Sequence, residues 1–135
     1  MRTPKTLVLD SWAIMAYLED EGPAERIANM ISDAHDDGVR MLMSVVNVGE
    51  VWYIIARRSS SSEADRAIHM MQDIGIKFID ADWPLTKIAA GYKVKGNISY
   101  ADCHAAAVAR HHQATLLTGD KEFKQLSDEI SIIWL

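Results

Sequence analysis

Lys5-Thr6-Leu7-Val8-Leu9-Asp10-Ser11-Trp12-Ala13-Ile14-Met15-Ala16-Tyr17-Leu18-Glu19 is the stretch that decides the fold. Residues 5–9, ending in the apolar Leu7-Val8-Leu9, predict a short buried strand. From Ser11 to Glu19, Trp12, Ile14, Met15, Tyr17 and Leu18 recur at near-helical spacing and predict a helix. Working outward, the same alternation continues. Gly22-Pro23 breaks the first helix and starts a second, running to about Asp36, with Ile27, Met30, Ile31 and Ala34 on one face; Pro suits a first helical turn. Further strands are expected at Val39–Met43, Ile76–Ile79, Thr115–Thr118 and Ile130–Trp134. Helices are expected at Val45–Arg58, Glu63–Gly75, Pro84–Lys95 and Tyr100–His112, with a short one at Lys121–Leu126. Gly96 stops the Pro84 helix, and Ser59–Ser62 is expected to be an exposed turn. Strands alternating with helices imply an α/β fold: a central, mostly parallel sheet of about four or five strands, flanked by helices on both faces.

At 135 residues the chain has the size of one domain with one continuous core. Hydrophobic residues at 49% and charged residues at 24% are a globular composition, not a disordered one. No apolar run approaches the ~18–20 residues that span a bilayer. Met1-Arg2-Thr3-Pro4-Lys5 leads into only four residues before Asp10, too few for the apolar part of a signal peptide. The one cysteine, Cys103, has no partner in the chain, which fits a reducing, cytoplasmic setting. The formal charge of -5 counts against a passive nucleic-acid-coating module, which should be basic. It does not count against a nuclease, because acids that hold divalent cations add to the negative sum. Basic residues group at Arg57-Arg58 and at Lys93–Lys95, as solvated helix ends or phosphate contacts.

Functional groups of a parallel sheet gather beyond the carboxyl ends of its strands. Asp10 directly follows the first strand, and Asp120 follows Thr115–Thr118 after Gly119, so both fall on that edge. Each also has an ordinary role as a helix N-cap, and Ser99-Tyr100-Ala101-Asp102 resembles a capping box with Asp in place of Glu. Glu50 resists such an account. Its helix, Val45-Val46-Asn47-Val48-Gly49-Glu50-Val51-Trp52-Tyr53-Ile54-Ile55-Ala56, is apolar around most of its circumference and is expected to be largely buried. A buried carboxylate without a partner costs several kcal/mol or takes up a proton. Only Asn47, three residues earlier on the same face, offers a hydrogen bond. A cluster of hard carboxylate oxygens suits Mg²⁺ or Mn²⁺, and such ions activate water for phosphodiester cleavage. Zinc spacing is absent: there is no cysteine pair and no His-x-x-x-His, and adjacent His111-His112 diverge on a helix. The histidines are expected mostly at the surface.

On these residues the chain resembles the PIN domain family, and within it the VapC-type toxins of bacterial toxin–antitoxin pairs. The resemblance covers nearly the whole chain. It rests on the strand ending in Asp10-Ser11, on Ser44-Val45-Val46-Asn47-Val48-Gly49-Glu50, on Ser99-Tyr100-Ala101-Asp102-Cys103-His104-Ala105-Ala106-Ala107, and on Leu116-Leu117-Thr118-Gly119-Asp120-Lys121-Glu122-Phe123. Cys103 stands where Ala is usual, a small residue expected to affect only packing. The resemblance implies a three-layer PIN-like sandwich and a metal-dependent endoribonuclease. Asp10, Glu50, Asp102 and Asp120 would hold Mg²⁺ or Mn²⁺, Asp10 and Asp102 directly and Asp120 through water. Ser11, Asn47, Ser99 and Thr118 would orient those carboxylates by hydrogen bonds. It also implies a homodimer, an RNA substrate, and a VapB-type antitoxin whose tail enters the active-site groove. Trp52, Tyr53, Ile54, Met70 and Met71 are either an apolar contact surface for such partners or the core of a helical layer. Two other functions share parts of the pattern. An aspartyl-phosphate phosphatase or receiver also places Asp after its first strand, but Trp12 stands where the phosphatase needs a second Asp. A PIN-like module that only binds RNA or protein would have no need of four repelling carboxylates.

Overall fold

Each strand is four or five residues long, and every residue of Thr6–Leu9 is buried, as a strand covered on both faces requires. In the computed structural model, which describes residues 4–135, the order is β1 (Thr6–Leu9), α1 (Ser11–Leu18), α2 (Ala24–Asp37), β2 (Arg40–Ser44), α3 (Val45–Arg58), α4 (Ser61–Asp73), β3 (Ile76–Ile79), α5 (Trp83–Lys95), α6 (Tyr100–His111), β4 (Thr115–Thr118), a 3₁₀ helix (Lys121–Leu126) and β5 (Ser131–Trp134). Residues 1–3, part of the leader weighed above as an export signal, lie outside the described residues. All five strands are parallel, in the order β3-β2-β1-β4-β5. The chain therefore winds outward from β1 in one direction and then restarts at β4 on its other side. The crevice of such a sheet opens where the order reverses, at the carboxyl ends of β1 and β4. Receivers have the order 2-1-3-4-5, so this sheet is not theirs.

Alternation along the strands builds two cores. Val8, Leu42 and Leu116 pack with α5, α6, Phe123 and Leu126 on one face. Leu7, Leu9, Met41, Met43 and Leu117 pack with Ile14, Ile27, Val51 and Met71 on the other. Among the described residues no helix is long and apolar enough to cross a membrane.

Several local expectations are corrected. Ser59–Ser62 is not all turn: Ser60 caps α4, its Oγ accepting from the Glu63 N–H at 3.1 Å, and Ser61 and Ser62 begin the helix. Helix α5 starts at Trp83, because Asp82 accepts from the Leu85 N–H at 3.1 Å. Helix α3 is not buried all round: only Asn47, Val48 and Val51 are buried, while Val45 and Tyr53 are exposed. It packs on one side of the sheet and leaves its far side open despite the apolar sequence. The apolar set splits accordingly, Met71 entering the core while Tyr53 and Met70 remain exposed. His104 is buried and meets the Tyr100 ring edge-on at 4.8 Å, unlike the surface role expected of most histidines. At the end of α5, Lys93 donates to the Ile98 carbonyl and Lys95 faces Glu129, so these cations serve local structure.

Candidate active site

Asp10 is the N-cap of α1 and is fully buried. Its Oδ1 accepts from the Ala13 N–H at 2.8 Å and its Oδ2 from the Thr118 hydroxyl at 2.5 Å. Thr118 Oγ1 in turn accepts from the Asp120 N–H at 3.0 Å. One buried hydroxyl at the end of β4 thus joins the acid after β1 to the acid after β4. The capping role and the clustered role of Asp10 coexist, because a carboxylate has about four acceptor positions. Burial pushes the Asp10 carboxyl up to about 7, against the lowering effect of the Thr118 and Ala13 hydrogen bonds and with some help from the charge of Asp120.

Asp102 sits in the first turn of α6, whose cap Ser99 accepts from the Asp102 N–H at 3.2 Å. Only 5% of Asp102 is exposed, and its Oδ2 is buried with no hydrogen-bond partner. Burial first, then Asp120 and Glu122 close by, push this carboxyl up to about 9. One oxygen from each of Asp102, Asp120 and Glu122 lies within 4.8 Å of the others. Acids this close repel unless a proton or a cation lies between them. Glu122 was given no role from the sequence. The 3₁₀ turn places it: Asp120 accepts from the Glu122 N–H at 3.0 Å, and Glu122 accepts from the Ser99 N–H at 3.1 Å. Its spacing of two from Asp120, just past a strand end, was the available signal.

Glu50 is half-buried on α3 and accepts a short hydrogen bond from the Ser11 hydroxyl. Asn47 is not its partner. The Asn47 side chain is buried and donates instead to the Ala101 carbonyl at 3.1 Å, clasping α3 to the turn that carries Asp102. Of the four expected orienting residues, Ser11 and Thr118 donate to carboxylates, whereas Asn47 and Ser99 hold the backbone around Asp102.

These side chains meet at an open groove of about 420 Å³, with Ser11, Glu50, Ser99, Asp102, Asp120 and Glu122 in its wall. Asp10 lies buried behind that wall. Trp12, Met15 and Ile54 supply an apolar part, and Arg58, ion-paired with Glu19, is the basic group among the lining residues. Chemically the groove offers a convergent set of hard oxygen donors with one unsatisfied buried oxygen, which suits a hard divalent cation.

The PIN domain family model matches residues 7–129. No curated protein matches the chain. Among solved structures, the chain is similar to VapBC2 from Rickettsia felis bound to a DNA fragment from their promoter, at 14% identity over 95% of this chain and 97% of that one, with a TM-score of 0.76. VapC20 of Mycobacterium tuberculosis, a sarcin-ricin loop cleaving toxin, is similar at 14% identity over 96% and 99%, with a TM-score of 0.75. VapBC-1 from nontypeable Haemophilus influenzae is similar at 14% identity over 96% and 97%, with a TM-score of 0.73. At such identities these likenesses speak for the fold, and the match over 7–129 speaks for the family. With its crevice at the β1–β4 reversal and its acids gathered there, the chain belongs to the PIN domain family.

Proposed function

We propose that this protein is a Mg²⁺- or Mn²⁺-dependent endoribonuclease, the toxin of a VapBC-type toxin–antitoxin pair, acting in the cytoplasm. The observation that carries the proposal is Asp102. It has a buried oxygen without a hydrogen-bond partner and contributes an oxygen to the close cluster with Asp120 and Glu122, and a cation is the group that would satisfy such a set. Asp10, Glu50, Asp102 and Asp120 would hold the ion, with Glu122 added to the original set. When bound, such an ion supplies an activated water and stabilises charge on the phosphodiester oxygens. The chain's own residues do the positioning. Thr118 fixes the Asp10 carboxylate and the Asp120 backbone, Ser11 orients Glu50, and Asn47 and Ser99 hold the turn that presents Asp102. The likeness to VapBC complexes supports a VapB-type antitoxin as partner, and the resemblance to VapC-type toxins implies a homodimer as the toxin's form.

Purified protein, free of any partner, should cleave RNA with Mg²⁺ or Mn²⁺ and stop on addition of EDTA. Asp10→Asn should abolish cleavage while leaving the circular dichroism spectrum unchanged. Cleavage by that variant at the parent rate would show the metal-site assignment to be wrong.

A further inference from the structure

Trp12 has no part in the acid chemistry, yet it stands in the wall of the acid groove. It lies two residues after Asp10, in the first turn of a helix whose start is fixed by the Asp10 cap. Its indole rests on Gly119, between Thr118 and Asp120. A Cβ added at Gly119 would overlap Trp12 Cη2 and lie 2.5 Å from both Cζ2 and Cζ3. Three ring atoms met almost equally place the glycine against the face of the ring, not its edge. The absence of a side chain at position 119 is therefore what seats the indole. With one face on the backbone, Trp12 remains 37% exposed, and it lines both the acid groove and the neighbouring hollow formed with Ala16, Glu21 and Pro23. One part of the indole is thus backed by main chain, and the exposed remainder stands in the same groove wall as Asp102, Asp120 and Glu122.

We propose that Trp12 is a stacking platform for a nucleobase of single-stranded RNA, seating the nucleotide next to the bond to be cut. This rests on the ribonuclease function proposed above. The groove then reads one nucleotide by its two chemistries: the acids and their ion take the phosphate, and the indole takes the base. Stacking on an aromatic side chain is tolerant of base identity, so Trp12 contributes affinity and position more than sequence choice.

The test is fluorescence anisotropy on the whole chain, with Ca²⁺ as the only divalent ion. The probes are a labelled single-stranded RNA of mixed sequence and an abasic ribose-phosphate strand of equal length. The wild type should bind the RNA about tenfold to a hundredfold more tightly than the abasic strand, the contribution of one base–aromatic stack. Trp12→Leu should lose that difference while keeping its Mn²⁺-induced rise in Tm. Trp12→Phe should keep part of it, and Gly119→Ala, which drives the indole off its seat, should narrow it. Equal binding of both strands by the wild type overturns the proposal and leaves this face to a protein partner. A base-dependent gain retained in Trp12→Leu overturns it as well. If Trp12→Leu does not fold, Trp12→Phe and Gly119→Ala decide, and a base-dependent gain undiminished in both overturns the proposal. A chain that cleaves RNA with Mn²⁺ but binds both strands equally loses only the platform, whereas a chain that neither cleaves nor binds RNA loses the ribonuclease function too.

Discussion

Thr118 is the residue on which the acids depend most. It donates to Asp10 and accepts from the Asp120 N–H, so a single hydroxyl positions two of the proposed ligands. Thr118→Val keeps the shape and removes both bonds. It should weaken Mn²⁺ binding by about tenfold to a hundredfold, as loss of an outer hydrogen-bond partner does, measured by isothermal titration calorimetry. The titration of the acids gives a second residue-scale expectation. Asp10 and Asp102 have folded values of about 7 and about 9, both raised well above the usual aspartate range. A raised carboxyl holds its proton in the folded state over a range where the unfolded chain has lost it. The stability this contributes is full below about pH 4 and is lost as pH rises through the folded values. In EDTA the Tm should therefore fall between pH 5 and pH 9, more steeply than in Asp102→Asn, and saturating Mg²⁺ should remove most of the difference. A metal-free Tm that rose over that range would refute the shared, uncompensated pocket. At this scale the candidacy of the four acids was legible in the sequence. It could not assign Asn47, whose partner is a carbonyl 54 residues away, brought near only by the packing of α3 on α6.

Among the elements, α3 and α6 form the joint that holds the site. The Asn47 amide is the clasp between them, buried on α3 and bonded to the backbone next to Asp102. Asn47→Ala should destabilise the protein by about 1 kcal/mol, the net worth of a buried hydrogen bond, since the Ala101 carbonyl keeps its place in the ladder of α6; urea unfolding reads the loss. Its catalytic defect should be smaller than that of Asp10→Asn, because it moves the turn carrying Asp102 without removing a carboxylate. The elements themselves were largely legible. Their periods and caps lie within a few residues of one another, and α3, β3, β4 and the 3₁₀ segment fall where the pattern puts them, with β1 within a residue of it. Two of the exceptions have local causes in capping side chains. Ser60 and Asp82 start their helices two and one residues earlier than the apolar stripes suggest. The orientation of α3 was the larger miss, because a helix apolar on nearly every face carries no sign of which face the sheet will take.

In the whole molecule, the acids concentrate negative charge at one end of a sheet in a chain already at -5. A bound divalent ion relieves that repulsion only in the folded state, so it stabilises the fold by mass action. Mg²⁺ or Mn²⁺ at a hundredfold excess over Kd should add about 2.7 kcal/mol, seen as a rise of several degrees in Tm and reversed by EDTA. No rise at millimolar metal would count against a shared site. The sequence by itself determined the alternation of strands and helices, and with it a parallel sheet whose carboxyl edge carries Asp10 and Asp120, because strand and helix periods are local properties of the chain. The tertiary structure alone decided the rest. The strand order β3-β2-β1-β4-β5 sets β1 beside β4 and so makes neighbours of residues 10 and 118. The 3₁₀ turn brings Glu122 to Asp102, and Gly119 seats the indole of Trp12. Contacts of that kind arise from chain segments far apart in sequence, and no local period records which segments will meet.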